Sequence, residues 1–154
     1  MNNFKLIKII SAIIFISSIS SCSKKEDLAE ITGKWKVVSF EDYETSTIIT
    51  KTKKNTWYDY NNGDIIINFN NSNNSKGNLS GKIVSNSLSA KYKIDKFHNI
   101  EIRSNFTTFA GQPKWADIFC DYIKSVEKYE IKKGSLIIYC NNNKNSITME
   151  RVNK

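Results

Sequence analysis

Leu88-Ser89-Ala90-Lys91-Tyr92-Lys93-Ile94 alternates apolar and polar side chains without interruption. Successive side chains of a strand point to opposite faces, so Leu88, Ala90, Tyr92 and Ile94 share one face and Ser89, Lys91 and Lys93 the other. One dry and one wet face means an antiparallel sheet, because a parallel sheet is covered on both sides and reads as a continuous apolar run. Ile100 and Ile102 repeat the alternation against Glu101 and Arg103. Upstream, Gly33-Lys34-Trp35-Lys36-Val37-Val38-Ser39-Phe40, Ser46 to Thr52, Ile65 to Phe69 and Leu79 to Val84 carry the β-branched and aromatic residues of further strands. Downstream, Glu127 to Ile131 and Ser135 to Cys140 flank a Lys132-Lys133-Gly134 turn, and Ser146 to Val152 makes a last strand. Asparagine tolerates left-handed backbone, so the tracts Asn70 to Ser75 and Asn141 to Asn145 are expected as hairpin loops.

The period changes once. From Trp115 the apolar residues fall at Trp115, Ile118, Phe119, Tyr122, Ile123 and Val126, spacings that gather on one side of a helix, with Asp117, Asp121 and Lys124 opposite. Pro113 suits the first helical turn, where a missing N–H costs nothing. Burying those apolar side chains at ~1.5–3 kcal/mol each makes this helix a main prop of the fold. The expected class is α+β: a curved antiparallel sheet or partly open barrel of about seven to eight strands, with one packed amphipathic helix near the C-terminal third.

At the N-terminus, Lys5 and Lys8 precede an apolar run from Ile9 to Ile19, and Ser20-Ser21-Cys22 follows. The run is about half of the ~20 residues a spanning helix needs, so residues 1–21 read as a secretory signal. Small residues just before a cysteine fit a lipoprotein box, in which the Cys22 thiol takes diacylglycerol in thioether linkage and Cys22 becomes the acylated mature N-terminus. Acyl chains at ~0.8 kcal/mol per buried methylene then hold the chain on a membrane. Residues 22–30 form a short polar tether, and residues 31–154 a single β-rich domain long enough for a real core. The expected location is the bacterial cell envelope, at the outer membrane on its periplasmic or surface face, with Lys25-Glu26-Asp27 as a faint surface-sorting signal.

The formal charge of +8 is spread along the chain. Lys51, Lys53 and Lys54 form the only dense basic cluster of the body, while Lys24 and Lys25 sit beside the lipid, where acidic headgroups lie. No basic stripe with interleaved aromatics occurs, so nucleic acid is not expected as a partner. Lipidation of Cys22 leaves Cys120 and Cys140. An oxidising compartment permits a disulfide between them, stabilising by roughly 3 kcal/mol through chain entropy, and two half-buried free thiols are the alternative.

Catalytic chemistry finds little to stand on. A zinc site wants three or four ligands at motif spacing, and His98, in the turn Lys96 to Asn99, is the single histidine. No G-x-S-x-G elbow, phosphate loop or dinucleotide fingerprint occurs, so no catalytic residue, metal or cofactor is expected. Asp59 and Asp64 flank Asn61-Asn62-Gly63, and Asp117 and Asp121 stand four apart on the polar helix face, but neither pair has the apolar surroundings that split two carboxylate pKa values. Aromatic residues are more suggestive. Trp57-Tyr58-Asp59-Tyr60 places three rings in four positions, so an extended segment leaves some ring away from the core, where it suits stacking on a sugar or docking a partner.

The order of features resembles the META/HslJ-like domain, a small envelope-associated domain often carried as a lipoprotein. The likeness covers roughly Ile31 to Val152 and rests on the Gly33-Lys34-Trp35 opening, the Gly77-Asn78-Leu79-Ser80-Gly81 segment, Asn86 and Tyr92, the Thr107-Thr108 region, the amphipathic helix and the closing Met149-Glu150-Arg151. It departs at Lys82-Ile83-Val84-Ser85-Asn86, where that family has a glycine-rich stretch ending in Cys-Asn, and after Thr108, where its usual cysteine is absent. The resemblance implies a partner-binding or envelope stress-protection role and no catalytic residues. Gly33-x-Trp35 and Arg151 are also similar to the lipocalin-like barrels, in which a terminal arginine lies over the tryptophan and helps close the sheet. That likeness implies a carrier of a small apolar ligand, although lipocalins place their helix after the eighth strand, whereas here two or three strands follow it.

Overall fold

The computed structural model describes residues 31–73, 75–106 and 111–152. The expected signal, the expected tether with Cys22 and the Thr107-Thr108 stretch lie outside the described residues. Among the described residues the chain forms strands β1 (Gly33–Asp42), β2 (Thr47–Thr50), β3 (Ile65–Asn73), β4 (Lys76–Ile83), β5 (Asn86–Ile94) and β6 (Ile100–Phe106). Helix α1 (Lys114–Tyr122) follows, and then β7 (Val126–Lys132), β8 (Ser135–Cys140) and β9 (Asn145–Arg151). Eight strands lie in the order β6-β5-β4-β3-β1-β9-β8-β7, and the short β2 pairs with β1 off this path. All the pairings are antiparallel. At the open seam Asn99 bridges to Lys128, and the Tyr129 N–H donates to the His98 carbonyl at 3.0 Å, so the sheet curls into a nearly closed barrel.

Alternation decides the inside. On β5 Leu88, Ala90, Tyr92 and Ile94 are buried while Ser89, Lys91 and Lys93 are exposed. Strand β1 breaks the rule, because Val37 and Phe40, three apart, both face inward. A bulge explains it: the register passes from Val37 opposite Met149 to Ser39 opposite Thr148, leaving Val38 as the extra residue.

Two expectations need correction. The asparagine tract after Phe69 is mostly strand, with Asn70 opposite Asn78 and Asn71 opposite Gly77 in the β3–β4 ladder. Glycine at 77 makes this possible, since a Cβ there would strike the Asn70 carbonyl and the Tyr92 ring. The helix also ends sooner than its apolar spacing suggests. It passes into a 3₁₀ turn at Ile123–Ser125, and Val126 opens β7 opposite Cys140. Pro113 stands just before α1 as its N-cap, with an extended ψ of 159°. The other asparagine tract is a hairpin loop as expected, with Asn141, Asn142 and Asn143 all at positive φ.

Register also gives the barrel two distinct ends. Gly33 stands level with Phe69, Leu79 and Ala90. The near end therefore holds Ile31, the β3–β4, β5–β6 and β7–β8 turns and Arg151. The far end holds the β4–β5 and β8–β9 turns, residues 51–64 and α1, which runs between the far ends of β6 and β7. Trp115, Ala116, Phe119 and Ile123 have no exposed surface, and the Trp115 ring packs on Phe40 with centroids 4.5 Å apart. Helix α1 thus stoppers the far end. Among the described residues no helix is long and apolar enough to cross a membrane.

Candidate functional site at the far rim

Residues 51–64 leave β2 and return to β3 around the helix-stoppered end, and polar contacts hold this loop from several sides. The Asn55 side chain accepts from the Thr52 N–H at 2.8 Å and donates to the Thr50 carbonyl at 2.9 Å, making a local turn. The Asn55 carbonyl accepts from the Trp115 N–H at 2.8 Å, one of the first amides of α1, which have no partner within their own helix. Buried Thr56 donates through its hydroxyl to the Gly63 carbonyl at 3.1 Å. Asn61, Asn62 and Gly63 have φ of 49°, 52° and 68°, the left-handed region that asparagine and glycine adopt most readily. A Cβ on Gly63 would lie 2.5 Å from Thr56 Cγ2. Asp64 closes the loop, pairing with Lys36 at 3.1 Å and with Lys51.

On this pinned loop the three rings face water. Trp57 and Tyr58 are each 42% exposed and Tyr60 54%. Trp57 and Tyr60 sit with ring centroids 6.0 Å apart, and the Lys51 ammonium stands 5.1 Å from the centre of the Tyr58 ring. Burying such rings is strongly favourable, each offering on the order of 150–250 Å² to a partner. Here the Tyr60 N–H donates to the Trp57 carbonyl at 3.3 Å, and the pins on either side hold the segment that carries the rings. The arrangement suits recognition by stacking and apolar contact. Asp59 is exposed and Asp64 is spoken for by two lysines, so this loop does not bring two carboxylates together for acid–base work.

The barrel has a solved counterpart. A crystal structure of a DUF4847 family protein from Bacteroides vulgatus superposes with a TM-score of 0.55 at 15% identity, over 80% of this chain and 95% of that one. At that identity the likeness concerns the fold. No family model matches the chain, and no curated protein does.

The remaining candidates fall elsewhere. At the near end the Arg151 guanidinium carbon lies 4.3 Å from the Trp35 ring centre, and its Nη1 donates to the Thr32 carbonyl at 2.8 Å. Trp35 itself is fully buried and donates through Nε1 to the Ile31 carbonyl at 2.7 Å. Cys120 and Cys140 form no disulfide; both are buried free thiols. Their surroundings differ: Gln112 Nε2 donates to the Cys120 sulfur at 3.3 Å from beside the helix, while the Cys140 thiol, at the end of β8, reaches the Asn145 carbonyl at 3.5 Å. Burial pushes the Cys120 thiol up, and burial with the nearby Glu127 charge pushes Cys140 up to about 12, so neither is poised as a nucleophile. His98 occupies a left-handed turn position with its ring 5.1 Å from Tyr129. Asp117 and Asp121 stay exposed on α1, and Lys124 bonds Asp121 at 3.2 Å. Among the described residues no three His, Cys, Asp or Glu side chains are placed to share a metal ion. Residues that the sequence reading missed are the pins of the loop, Asn55, Thr56 and Lys36. The Asn-Asn-Gly triplet was the one local signal for them.

Proposed function

We propose that this chain is a non-enzymatic, lipid-anchored binding protein of the bacterial envelope that docks another envelope protein through the far-rim rings Trp57, Tyr58 and Tyr60. The observation that carries the reading is three exposed rings on a loop fixed by hydrogen bonds and ion pairs. A loop already ordered loses little entropy on binding, and aromatic anchors dominate recognition hot spots. The near end joins the tether and the rings crown the opposite end, an orientation that points them away from an anchoring membrane. Envelope placement comes from the signal-and-Cys22 pattern and agrees with what the META/HslJ-like resemblance implies.

The competing reading is a carrier of a small apolar ligand, which the barrel architecture suits. It finds less support in the interior, where Trp35, Phe69, Trp115, Phe119 and Leu136 have no solvent-reachable surface. A guest beside them must first displace packed side chains, at a cost of order 1–3 kcal/mol or more. Photo-crosslinking in living cells separates the readings. A photoreactive residue at position 58 is expected to give one discrete adduct that Trp57→Ala with Tyr60→Ala abolishes while leaving the melting temperature within a few degrees, because both side chains are exposed. No adduct at 57, 58 or 60, together with an apolar molecule co-purifying in native mass spectra, would replace this proposal with the carrier.

A further inference from the structure

We infer that the outer wall of β4, β5 and β6 docks on the phosphate-bearing headgroups of an anionic membrane leaflet. Three strands bring five cations onto one face, Lys82 toward the far end of β4 and Lys76, Lys91, Lys93 and Arg103 grouped by the ladders. Lys76 lies opposite Lys93 across the β4–β5 ladder, and Lys91 lies opposite Arg103 across β5–β6. Glu101, opposite Lys93, is the one carboxylate on this wall among the described residues, and it accepts from Arg103 Nε at 2.8 Å. Like charges directly opposite each other destabilise a sheet. A wall built this way reaches its lowest energy when anions lie over it. The side chains grouped by the ladders border an open depression of about 530 Å³ into which Ser72, Asn73 and Asn78 also face.

Position selects the source of the anions. Lys76 and Lys93 sit at the near end, three ladder positions beyond the level of Gly33, where β1 begins. The Lys132-Lys133 turn is exposed at that end as well. Nine tether residues, 22–30, reach at most about 30 Å when extended. A domain held by Cys22 therefore keeps the near-end cations of this wall within reach of the leaflet, with the aromatic rim at the opposite end of the barrel. The cations are spread over an exposed wall of three strands and do not converge on one enclosed point, which suits a field of headgroups better than a single free phosphate. The inference rests on the lipid-anchored reading above for its orientation, and on the strand register for the wall itself.

The test uses the whole protein purified from membranes. It is placed on vesicles of phosphatidylcholine alone or of equimolar phosphatidylcholine and phosphatidylglycerol, briefly acetylated, and mapped by mass spectrometry. Lys76, Lys91 and Lys93 are expected to react several-fold more slowly on the anionic vesicles, with Lys53, Lys54 and Lys114 at the far end unchanged. Raising salt to about 0.5 M shortens the screening length below the lysine–headgroup spacing and removes the protection. Lys91→Glu with Lys93→Glu changes two outward side chains, keeps the circular dichroism spectrum, and lowers retention on added anionic vesicles about tenfold or more. Equal acetylation on both vesicle types overturns the inference. So does equal protection by millimolar inorganic phosphate on phosphatidylcholine, which assigns the wall to the free ion, and so does tighter retention of a single-stranded oligonucleotide than of anionic vesicles. The intact mass of the same sample reads the anchor separately. Unmodified Cys22 with protected lysines removes the anchor and keeps the wall, whereas acylated Cys22 with unprotected lysines does the reverse.

Discussion

The two ends of the barrel are closed by different physics. At the far end Trp115, Phe119 and Ile123 fill the mouth from above and Phe40 meets the Trp115 ring from below, with Asn55 tying the helix start to the loop. At the near end a single guanidinium covers the buried Trp35 ring, and Lys76, Lys93 and Lys132 at strand ends stand there with Lys133 of the β7–β8 turn. The far end is therefore closed by apolar packing and the near end by one cation over a ring, while lysines stand at both ends. The asymmetry sets an end stoppered by a helix apart from an end closed by one exposed side chain.

Removing the stopper gives the largest expected effect. Phe119→Ala takes a fully buried ring out of the far mouth and leaves a cavity that the short helix cannot collapse into, at a cost of about 3–5 kcal/mol. In a domain of this size that lowers the melting temperature by roughly 10 °C or more. Thermal unfolding followed by circular dichroism measures it. A loss no larger than that from a near-end substitution would erase the contrast between the ends.

A smaller effect isolates the loop from the helix. Gly63→Ala places a side chain at positive φ and against Thr56 Cγ2, so it is expected to cost about 1–2 kcal/mol. Its sharper signature is functional. The rings lose their fixed backbone, and the crosslink from position 58 weakens even where most of the protein remains folded. An undiminished crosslink would mean that the rings act without the pins.

Local periodicity made some of this legible. Leu88 to Ile94 and Trp115 to Ile123 declare their buried faces because each pattern is complete within one element, and that was enough for an antiparallel sheet with a late helix. Features that depend on partners far along the chain left no local trace. The Val38 bulge breaks the spacing of β1, β3 runs on through asparagines because Gly77 lies opposite, and Asn55 is held by an amide of Trp115. The basic wall is the plainest case. Lys51, Lys53 and Lys54 are neighbours in sequence, whereas Lys76 and Arg103 join Lys91 and Lys93 only through register. For the far-rim rings the clustering was visible, but their exposure depended on the pins beneath them.

The weakest closure yields the smallest effect and the finest test of the comparison. Arg151 is an exposed side chain whose guanidinium lies over a fully buried indole, and glycine at 33 leaves it room, since a Cβ there would come within 2.9 Å of Nη1. Arg151→Ala removes the cation from the ring and the donor from the Thr32 carbonyl, for an expected loss of about 0.5–2 kcal/mol. Arg151→Lys keeps the charge but loses the flat face that lies along the indole, so it should recover only part of that loss. Trp35 fluorescence reports the site directly, although Trp57 and Trp115 also emit and are best replaced by phenylalanine for the measurement. If Arg151→Lys matches the parent protein, charge alone closes the near end; if it matches Arg151→Ala, the planar contact and its hydrogen bond do. Either result ranks below Phe119→Ala as long as the far end is closed by packing and the near end by the Arg151 contact.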